Sequence, residues 1–466
     1  MKRGYEMDMC TGPLFRKLLV FSVPLMLSGI LQLLFNAADI IVVGRFTGSQ
    51  ALAAVGSTSS LIALFVNFFI GLSIGTNVLV AQYYGAKEQR HVHETVHTSI
   101  LSSIIIGVIL IVIGLVFAVP ILEIMGTPAD VLDQATLYLR IYFIGMPSVM
   151  VYNFGAAVLK AIGDTRRPLY YLLTAGIINV VLNLFFVIVF HMGVAGVALA
   201  TIISQTVSAI LIVRCLMATE GMCQLVLKDL KIHKSKLIGM FRIGLPAGFQ
   251  SAVFSISNVL IQSSVNSFGS LAMAGNTAGS NLEGFAYTAM NAVYQANLSF
   301  TSQNVGAGQY KRINQILWRC VTIVIGVGVF VGAIMLVFSR QLLGIYTTDP
   351  QVIAYGILRM NIIFPVYFSC GLMDVLVGSM RGMGYSVVPM IVSLLGACGF
   401  RIVWIFTVFA TYHSLEVLYI SYPISWFMTA AVHFICYLVI KKKVHRKFIE
   451  AAARKQMAAA GKEQAV

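Results

Sequence analysis

Asp39 is the residue whose position in this sequence most needs a chemical explanation. It lies in FNAADIIVVGRFTG (35–48), an apolar stretch in which the next charge, Arg45, follows six residues later. In a helix the two residues are about 9 Å apart along the axis, which places Asp39 in the outer half of the first apolar segment. An ionised carboxylate in hydrocarbon is costly unless it faces a cavity or a partner. Two roles are open: a structural bond to a neighbouring helix, or reversible binding of a proton or a sodium ion.

Three uncharged polar side chains have a spacing that suits the same chemistry. Asn179 and Asn183 are four residues apart in GIINVVLNLFF, so they share one helical face. Thr201 follows on the next apolar segment, in GVALATII. Amide and hydroxyl oxygens are ligands for hard cations. The alternative is an interhelical amide pair that only holds the bundle together.

A second set of candidates lies in the C-terminal half. Glu283, Asp374 and Arg401 each occur inside an apolar segment. A guanidinium in a membrane requires an anion, and we expect Glu283 or Asp374 to pair with Arg401. A structural ion pair and a role in substrate binding are both open for this C-half polar site.

Two other groups of basic residues are expected to have structural roles. Arg140 and Arg359 occupy matching places in the two halves, and we expect each to extend to the membrane interface or to cap a neighbouring helix. The histidines of QRHVHETVHTS, at 91, 93 and 97, have spacings that a metal site would allow, but no neighbouring cysteine or acid completes one. We expect a solvated turn there, and no metal site beyond possible Na+ at Asp39.

The elements that carry these residues must be membrane-spanning helices. Hydrophobic residues make up 58% of the 466-residue chain, charged residues only 11%, and the mean hydropathy is +0.87. This composition excludes a soluble domain and predicts an all-α polytopic membrane protein. The predicted spans are 15–39, 52–80, 95–119, 135–159, 169–190, 194–216, 240–265, 271–299, 315–338, 352–379, 387–411 and 415–440. Four prolines, Pro24, Pro147, Pro246 and Pro365, are expected to kink helices during switching.

The net charge of +15 is explained by topology. Most of the 32 lysines and arginines fall in alternate loops, and the positive-inside rule then places both termini in the cytoplasm. We expect a multi-pass protein of the plasma (inner) membrane. The basic segment 217–239 is expected to lie on the membrane surface, and the seven cysteines to be free thiols.

The two halves of the chain repeat. VPLMLSGILQLLFN (23–36) aligns with LPAGFQSAVFSISN (245–258) at an offset of 222, and QYYGAKEQR (82–90) aligns with QNVGAGQYK (303–311) at an offset of 221. Because six spans return the chain to its starting side, the repeats are parallel. The predicted domains are an N-lobe (1–216), a cytoplasmic linker (217–239), a C-lobe (240–440) and a basic cytoplasmic tail (441–466).

These motifs, in this order and in both halves, resemble those of the MATE (multidrug and toxic compound extrusion) family. The resemblance rests on N-A-A-D with G-R-F-T-G, on Q-x-x-G-A in each half, and on G-D-T-R-R-P with its counterpart G-x-x-x-x-P. It implies twelve helices in two six-helix lobes with pseudo-twofold symmetry. It also implies an antiporter that exports organic cations in exchange for Na+ or H+, with no cofactor.

The resemblance also bears on the site residues. In one branch of the family an Asn and an acid on the fifth helix join the first-helix Asp and a Thr on the sixth helix. Asp39, Asn179 and Thr201 match that cation-coupling pattern, and Asn183 stands where the acid would be. Another branch places its acids on the seventh and tenth spans. Asp374 lies on the tenth, Glu283 lies on the eighth, and 240–265 contains no acid.

Other functions remain as alternatives. The sequence contains no P-loop and no nucleophile–base motif, so ATP-driven pumping and enzymatic activity are not supported. The alternatives are a flippase for a lipid-linked precursor and a membrane enzyme or scaffold without transport. The expected partners are small organic cations and membrane lipid, with no nucleic acid, and the expected state is a monomer.

Overall fold

The computed structural model describes residues 5–463, and every regular element in this part of the chain is helical. The first four and last three residues, which belong to the predicted N-lobe and tail, lie outside the described residues. The helices of the first half are α1 (Leu14–Phe46), α2 (Ser49–Gly85), α3 (Gln89–Ile124), α4 (Ala129–Ile144), α5 (Met146–Ala161), α6 (Arg166–Leu184) and α7 (Gly193–Ala218). A π-helical segment, Phe185–Val189, extends α6.

The second half follows the same order with more interruptions. Its helices are α8 (Lys234–Asn266), α9 (Ser270–Gly306), α10 (Tyr310–Val337), α11 (Ser339–Gly344), α12 (Pro350–Ile363), α13 (Phe368–Gly382), α14 (Val387–Ser393), α15 (Phe400–Trp404) and α16 (Leu415–Glu463). A 3-10 turn, Phe364–Val366, joins α12 to α13. Two π-helical segments, Leu394–Gly399 and Ile405–Phe409, flank α15 and make α14 and α15 parts of one span.

The membrane-crossing helices agree with the predicted spans. Within the described chain, nine helices are long and apolar enough to cross a membrane alone, and two bent pairs supply two further crossings. The predicted span 271–299 is helix α9, which is long enough but carries polar residues such as Asn276 and Glu283. These elements together account for the twelve predicted spans. All seven cysteines lie in the described chain and are thiols outside any disulfide, as predicted.

Both bent pairs have a proline at the break. The α4–α5 pair bends by 46° beside Pro147, and the α12–α13 pair bends by 48° around Pro365. Proline lacks the N–H that would continue the helix, and its ring displaces the preceding carbonyl. The prediction of proline kinks is confirmed at these two positions, whereas Pro24 and Pro246 lie inside the uninterrupted helices α1 and α8. Gly107 of α3 packs against Pro147 with no room for a side chain, so α3 lies directly against the first bend.

Contacts divide the chain into two compact units. The first comprises 1–8, 19–84 and 88–255, and the second comprises 9–18, 85–87 and 256–466. Within the first unit, the start of α8 packs on α2 through glycines, with Gly71 and Gly75 against Gly248 and Gly244. Small residues let helix backbones approach closely in membranes. The first two-thirds of α8 is therefore held by the elements of the first unit.

The segment between α7 and α8 packs into the protein. It contains one 3-10 turn, Leu227–Asp229, and its Cys223 and Leu225 are each only 2% exposed, packed among residues of α3, α5 and α7. The Thr98 hydroxyl accepts a hydrogen bond from the His233 N–H at 3.1 Å. The apolar side chains of this segment, which was predicted to lie on the membrane surface, therefore join the core of the first unit.

Candidate functional site

Helices α1 and α6 approach closely where Gly176 contacts Phe35. The Phe35 ring fills the space that a side chain at position 176 would need. Asp39 follows Phe35 by about one turn, and Asn179 and Asn183 follow Gly176 by about one and two turns. The contact therefore brings the carboxylate of α1 beside the two amides of α6.

The four side chains predicted for the N-terminal half form one hydrogen-bonded group across three helices. The Nδ2 of Asn183 donates to Asp39 Oδ1 and, at 3.3 Å, to Asn179 Oδ1. The Nδ2 of Asn179 donates to Thr201 Oγ1 on α7 at 3.3 Å. The Thr201 hydroxyl donates to the Val197 carbonyl at 3.0 Å. Asp39, Asn179, Asn183 and Thr201 are called the N-half cluster below.

The chemistry of the N-half cluster suits a hard cation or a proton. Asn183 is fully buried, and its Oδ1 has no hydrogen-bond partner within the described structure. An unsatisfied buried acceptor costs about 1–3 kcal/mol, so a cation that used this oxygen would relieve that cost. Sodium would be coordinated by carboxylate, amide and hydroxyl oxygens, whereas a proton on Asp39 would remove its charge. The residues fit either ion.

Two tyrosines of α4 lie near the N-half cluster, and sequence reasoning missed them. Tyr138 and Tyr142 are within electrostatic range of Asp39, and their ring centroids are 6.3 Å apart. A phenol hydroxyl can donate to a carboxylate, and an aromatic face can hold a cation. Their one-turn spacing is a possible signal, but aromatic pairs at that spacing also occur wherever helices pack.

In the C-terminal half, Glu283 and Arg359 form a buried bidentate ion pair. Arg359 donates from Nε to Glu283 Oε1 at 2.6 Å and from Nη2 to Oε2 at 2.9 Å. Its Nη1 donates to Asn276 Oδ1 at 2.7 Å. Arg359 is only 3% exposed, so it does not extend to the membrane interface; its guanidinium binds side chains of α9, and not the carbonyls of a helix end, so the alternative of a helix cap is not met either. Arg140, its counterpart, is exposed.

Arg401 is buried against aromatic rings. Its Nε donates to Ser425 Oγ at 2.9 Å, and its guanidinium carbon lies 4.1 Å from the ring centroid of Tyr422 and 5.6 Å from that of Trp426. Its Nη2 has no hydrogen-bond partner in the described part of the chain. Cation–π contacts with α16 thus supply part of the stabilisation that a carboxylate would otherwise provide.

The prediction that Arg401 pairs with Glu283 or Asp374 is wrong. Both carboxylate oxygens of Glu283 bind Arg359. Asp374 forms a hydrogen bond with Tyr287 of α9, and its Oδ2 has no partner among the described residues. Glu283, Asp374 and Arg401 therefore each have a different set of contacts.

The histidines near the start of α3 differ in their surroundings. His91 and His93 are partly exposed, as predicted. His97 is fully buried, and its ring contacts the His93 carbonyl and the Val226 backbone. The prediction of a solvated turn is therefore wrong for His97. The expectation that no acid lies beside these histidines is also wrong, because the chain between α7 and α8 brings Asp229 there.

Comparison with known proteins gives matches along most of the chain. The family model described as MatE matches residues 24–185 and 246–407, two segments that begin 222 residues apart. The "Probable multidrug resistance protein YoeA" of Bacillus subtilis is 28% identical over 438 residues, covering 92% of this chain and 94% of that protein. The "Probable multidrug resistance protein YpnP" of the same species is 27% identical over 388 residues, covering 83% and 87%.

A solved structure shares the fold. It is described as the "outward-facing conformation of a multidrug resistance MATE family transporter of the MOP superfamily". The TM-score is 0.88 at 20% sequence identity, and the match covers 96% of this chain and 99% of that chain. The likeness therefore extends over nearly the whole length of both proteins.

The repeat relates the two sets of polar residues. At an offset of 222, Arg401 is the counterpart of Asn179. Asn179 contacts Thr201 on the sixth span of the first half, and Arg401 contacts Ser425 on the sixth span of the second half, although the counterpart of Thr201 at this offset is Pro423. The C-terminal half thus holds a fixed positive charge where the N-terminal half holds an amide.

Proposed function

Because the chain belongs to the MatE family, we propose that it is a secondary antiporter that exports cationic or amphiphilic organic compounds in exchange for Na+ or H+. The observation that carries the proposal is the N-half cluster, in which Asp39 Oδ1 accepts a hydrogen bond from Asn183 Nδ2, while the buried Oδ1 of Asn183 has no partner within the described structure. The relatives named as multidrug resistance proteins support the substrate class.

Ion binding at Asp39 is the coupling step of this proposal. With an ion bound, the carboxylate is neutralised and the amides of Asn179 and Asn183 turn their oxygens toward it. Without the ion, the Asp39 carboxylate is charged; it retains the hydrogen bond from Asn183, and its charge favours hydration by water. Because a charge in hydrocarbon is costly, the two states favour different packing of α1 against α6, which is what coupling to cargo movement needs.

The C-half residues have separate roles in the proposal. Glu283 is a structural partner, because both of its oxygens are used by Arg359. Asp374 and Arg401 are the candidates for contact with cargo, because each retains a buried polar atom without a partner in the described chain. Opposite charges on the two residues suit amphiphiles that carry a cationic group and a hydrogen-bond acceptor.

We propose the following membrane topology. Residues 1–216 and 240–440 form the two lobes, 217–239 connects them, and 441–466 forms a cytoplasmic tail. Both termini face the cytoplasm in the plasma (inner) membrane, because Lys and Arg collect in the loops on that side. The chain acts as a monomer, with no cofactor. Labelling of single cysteines introduced at exposed loop positions tests the orientation.

Counterflow in proteoliposomes tests the function. Vesicles that contain the purified protein are loaded with a fluorescent organic cation, and a Na+ gradient or a pH gradient is imposed in separate experiments. Cargo movement driven by one of these gradients supports the antiporter and identifies its ion. Movement of labelled lipid between leaflets, with no response to either gradient, supports a flippase and contradicts the proposal.

A further inference from the structure

Three potential metal ligands from two separate elements meet at one end of the first unit. His93 and His97 lie one turn apart on α3, and Asp229 ends the 3-10 turn Leu227–Asp229. Their ligand atoms all lie within 4.8 Å of one another, and His93 Nε2 is 3.7 Å from Asp229 Oδ2. Ligands of a tetrahedral zinc ion are about 3.4 Å apart. The observed spacing therefore approaches that of a metal site.

The hydrogen bonds of His97 select the nitrogen that can bind a metal. The Nδ1 of His97 lies 2.7 Å from the His93 carbonyl oxygen, which can only accept, so Nδ1 carries the proton. The Nε2 lies 3.0 Å from both the Val226 nitrogen and the Val226 carbonyl oxygen, and with the proton on Nδ1 its electron pair accepts the Val226 N–H. Metal-binding histidines commonly donate their other N–H to a carbonyl in this way. A metal at Nε2 would displace the Val226 N–H.

The surroundings leave room for the ion. His93 and Asp229 line an open cavity of about 810 Å³. Lys228 and Lys231 also line it, but both are exposed, and their repulsion is screened by salt. Glu94, near the same cavity, is already engaged by Arg90 and Lys236. It is therefore not counted as a ligand.

We propose that His93, His97 and Asp229 bind a divalent transition metal such as Ni2+ or Zn2+. Imidazole and carboxylate ligands suit these ions, and water completes the coordination shell. The bound metal fixes the segment between α7 and α8 to the start of α3, and it exchanges the Val226 hydrogen bond for a metal–ligand bond. This site shares no residue with the N-half cluster, so the test of metal binding does not depend on the proposed transport function.

Isothermal titration of the full-length, tag-free protein in detergent with NiCl2 tests the site. We expect one ion per chain. His93→Ala and Asp229→Asn, both at partly or fully exposed positions that leave the fold intact, each weaken binding by at least about tenfold. His91→Ala is the matched control: His91 lies on the same helical turn but contacts Glu94, and its loss changes the affinity by less than about twofold. Absence of binding, or equal binding by all variants, overturns the proposal.

Hydrogen exchange tests the role of His97 without a substitution in the core. With Ni2+ bound, the Val226 amide exchanges faster than in the metal-free protein, because its acceptor has been taken. Unchanged protection at Val226 with one ion bound overturns the three-ligand site. At a Ni2+ concentration that just saturates the unsubstituted protein, the Asp229→Asn variant is expected to retain most of the protection at Val226, since it binds the ion at least about tenfold more weakly.

Discussion

Replacement of Asp39 by asparagine removes the carboxylate charge and changes the shape of the side chain very little. Asparagine has nearly the same shape and keeps an oxygen that can accept from Asn183, the present donor to Asp39. The loss of the charge-assisted part of this bond is offset by the relief of a buried charge. We therefore expect the free energy of unfolding of Asp39→Asn to change by no more than about 1 kcal/mol.

The effect on transport follows from the charge of the N-half cluster. Its four side chains contain one carboxylate, so one monovalent ion neutralises it. A tenfold ion gradient stores about 1.4 kcal/mol. One-for-one exchange with a monovalent cargo can then sustain at most about a tenfold cargo gradient. Without the carboxylate the ion has no differential affinity for the two states, and the cargo gradient falls to about one.

The assay is cargo accumulation in proteoliposomes at a fixed tenfold Na+ or H+ gradient. Asp130→Asn is the matched control, because Asp130 is an exposed acid in the first turn of α4, in the same unit of the chain. We expect this control to match the unsubstituted protein. Thermal melting of all three proteins in detergent confirms that they are folded.

Two results would refute this reasoning. If folded Asp39→Asn sustains a cargo gradient close to tenfold, the coupling ion binds elsewhere. If Asp39→Asn and Asp130→Asn lose transport equally while remaining folded, the effect reflects the general loss of an acid and not the chemistry of the N-half cluster.

Three further predictions follow from the same contacts. Glu283→Gln leaves Arg359 buried without its counter-charge and should lower the free energy of unfolding by about 3–5 kcal/mol, whereas the double variant Glu283→Gln with Arg359→Met should recover most of that loss. Equal melting temperatures for the single and the double variant would contradict the ion-pair argument. Asn183→Asp adds a second carboxylate to the N-half cluster and should raise Na+ affinity by about tenfold, measured as the Na+ concentration for half-maximal transport; an unchanged value would mean that this position does not coordinate sodium. Gly75→Ala forces a side chain into the α8 backbone and should lower the melting temperature, while Gly284→Ala, with open space around it, should not; similar melting behaviour of the pair would remove the case for close packing of α2 on α8.

The sequence predicted the N-half cluster because polar residues are rare in apolar helices. Asp39, Asn179, Asn183 and Thr201 must avoid lipid, and the packing of their helices brings them together. Sequence reasoning missed Tyr138 because the amphipathic ring of tyrosine is equally suited to a position against lipid, in a core or beside an ion. Its type therefore carried little information about its place.

The helices, the duplication and the candidate carboxylate at Asp39 were determined by the order of residue types along the chain, since apolar length and repeated motifs are local properties. The partners of Glu283, Arg401 and His93 were decided only by the tertiary structure. A membrane helix is apolar on most of its surface, so no polar face fixes its rotation about its own axis. Rotation and register between helices far apart in sequence decided that Glu283 binds Arg359, and the path of the chain after α7 brought an acid to His93.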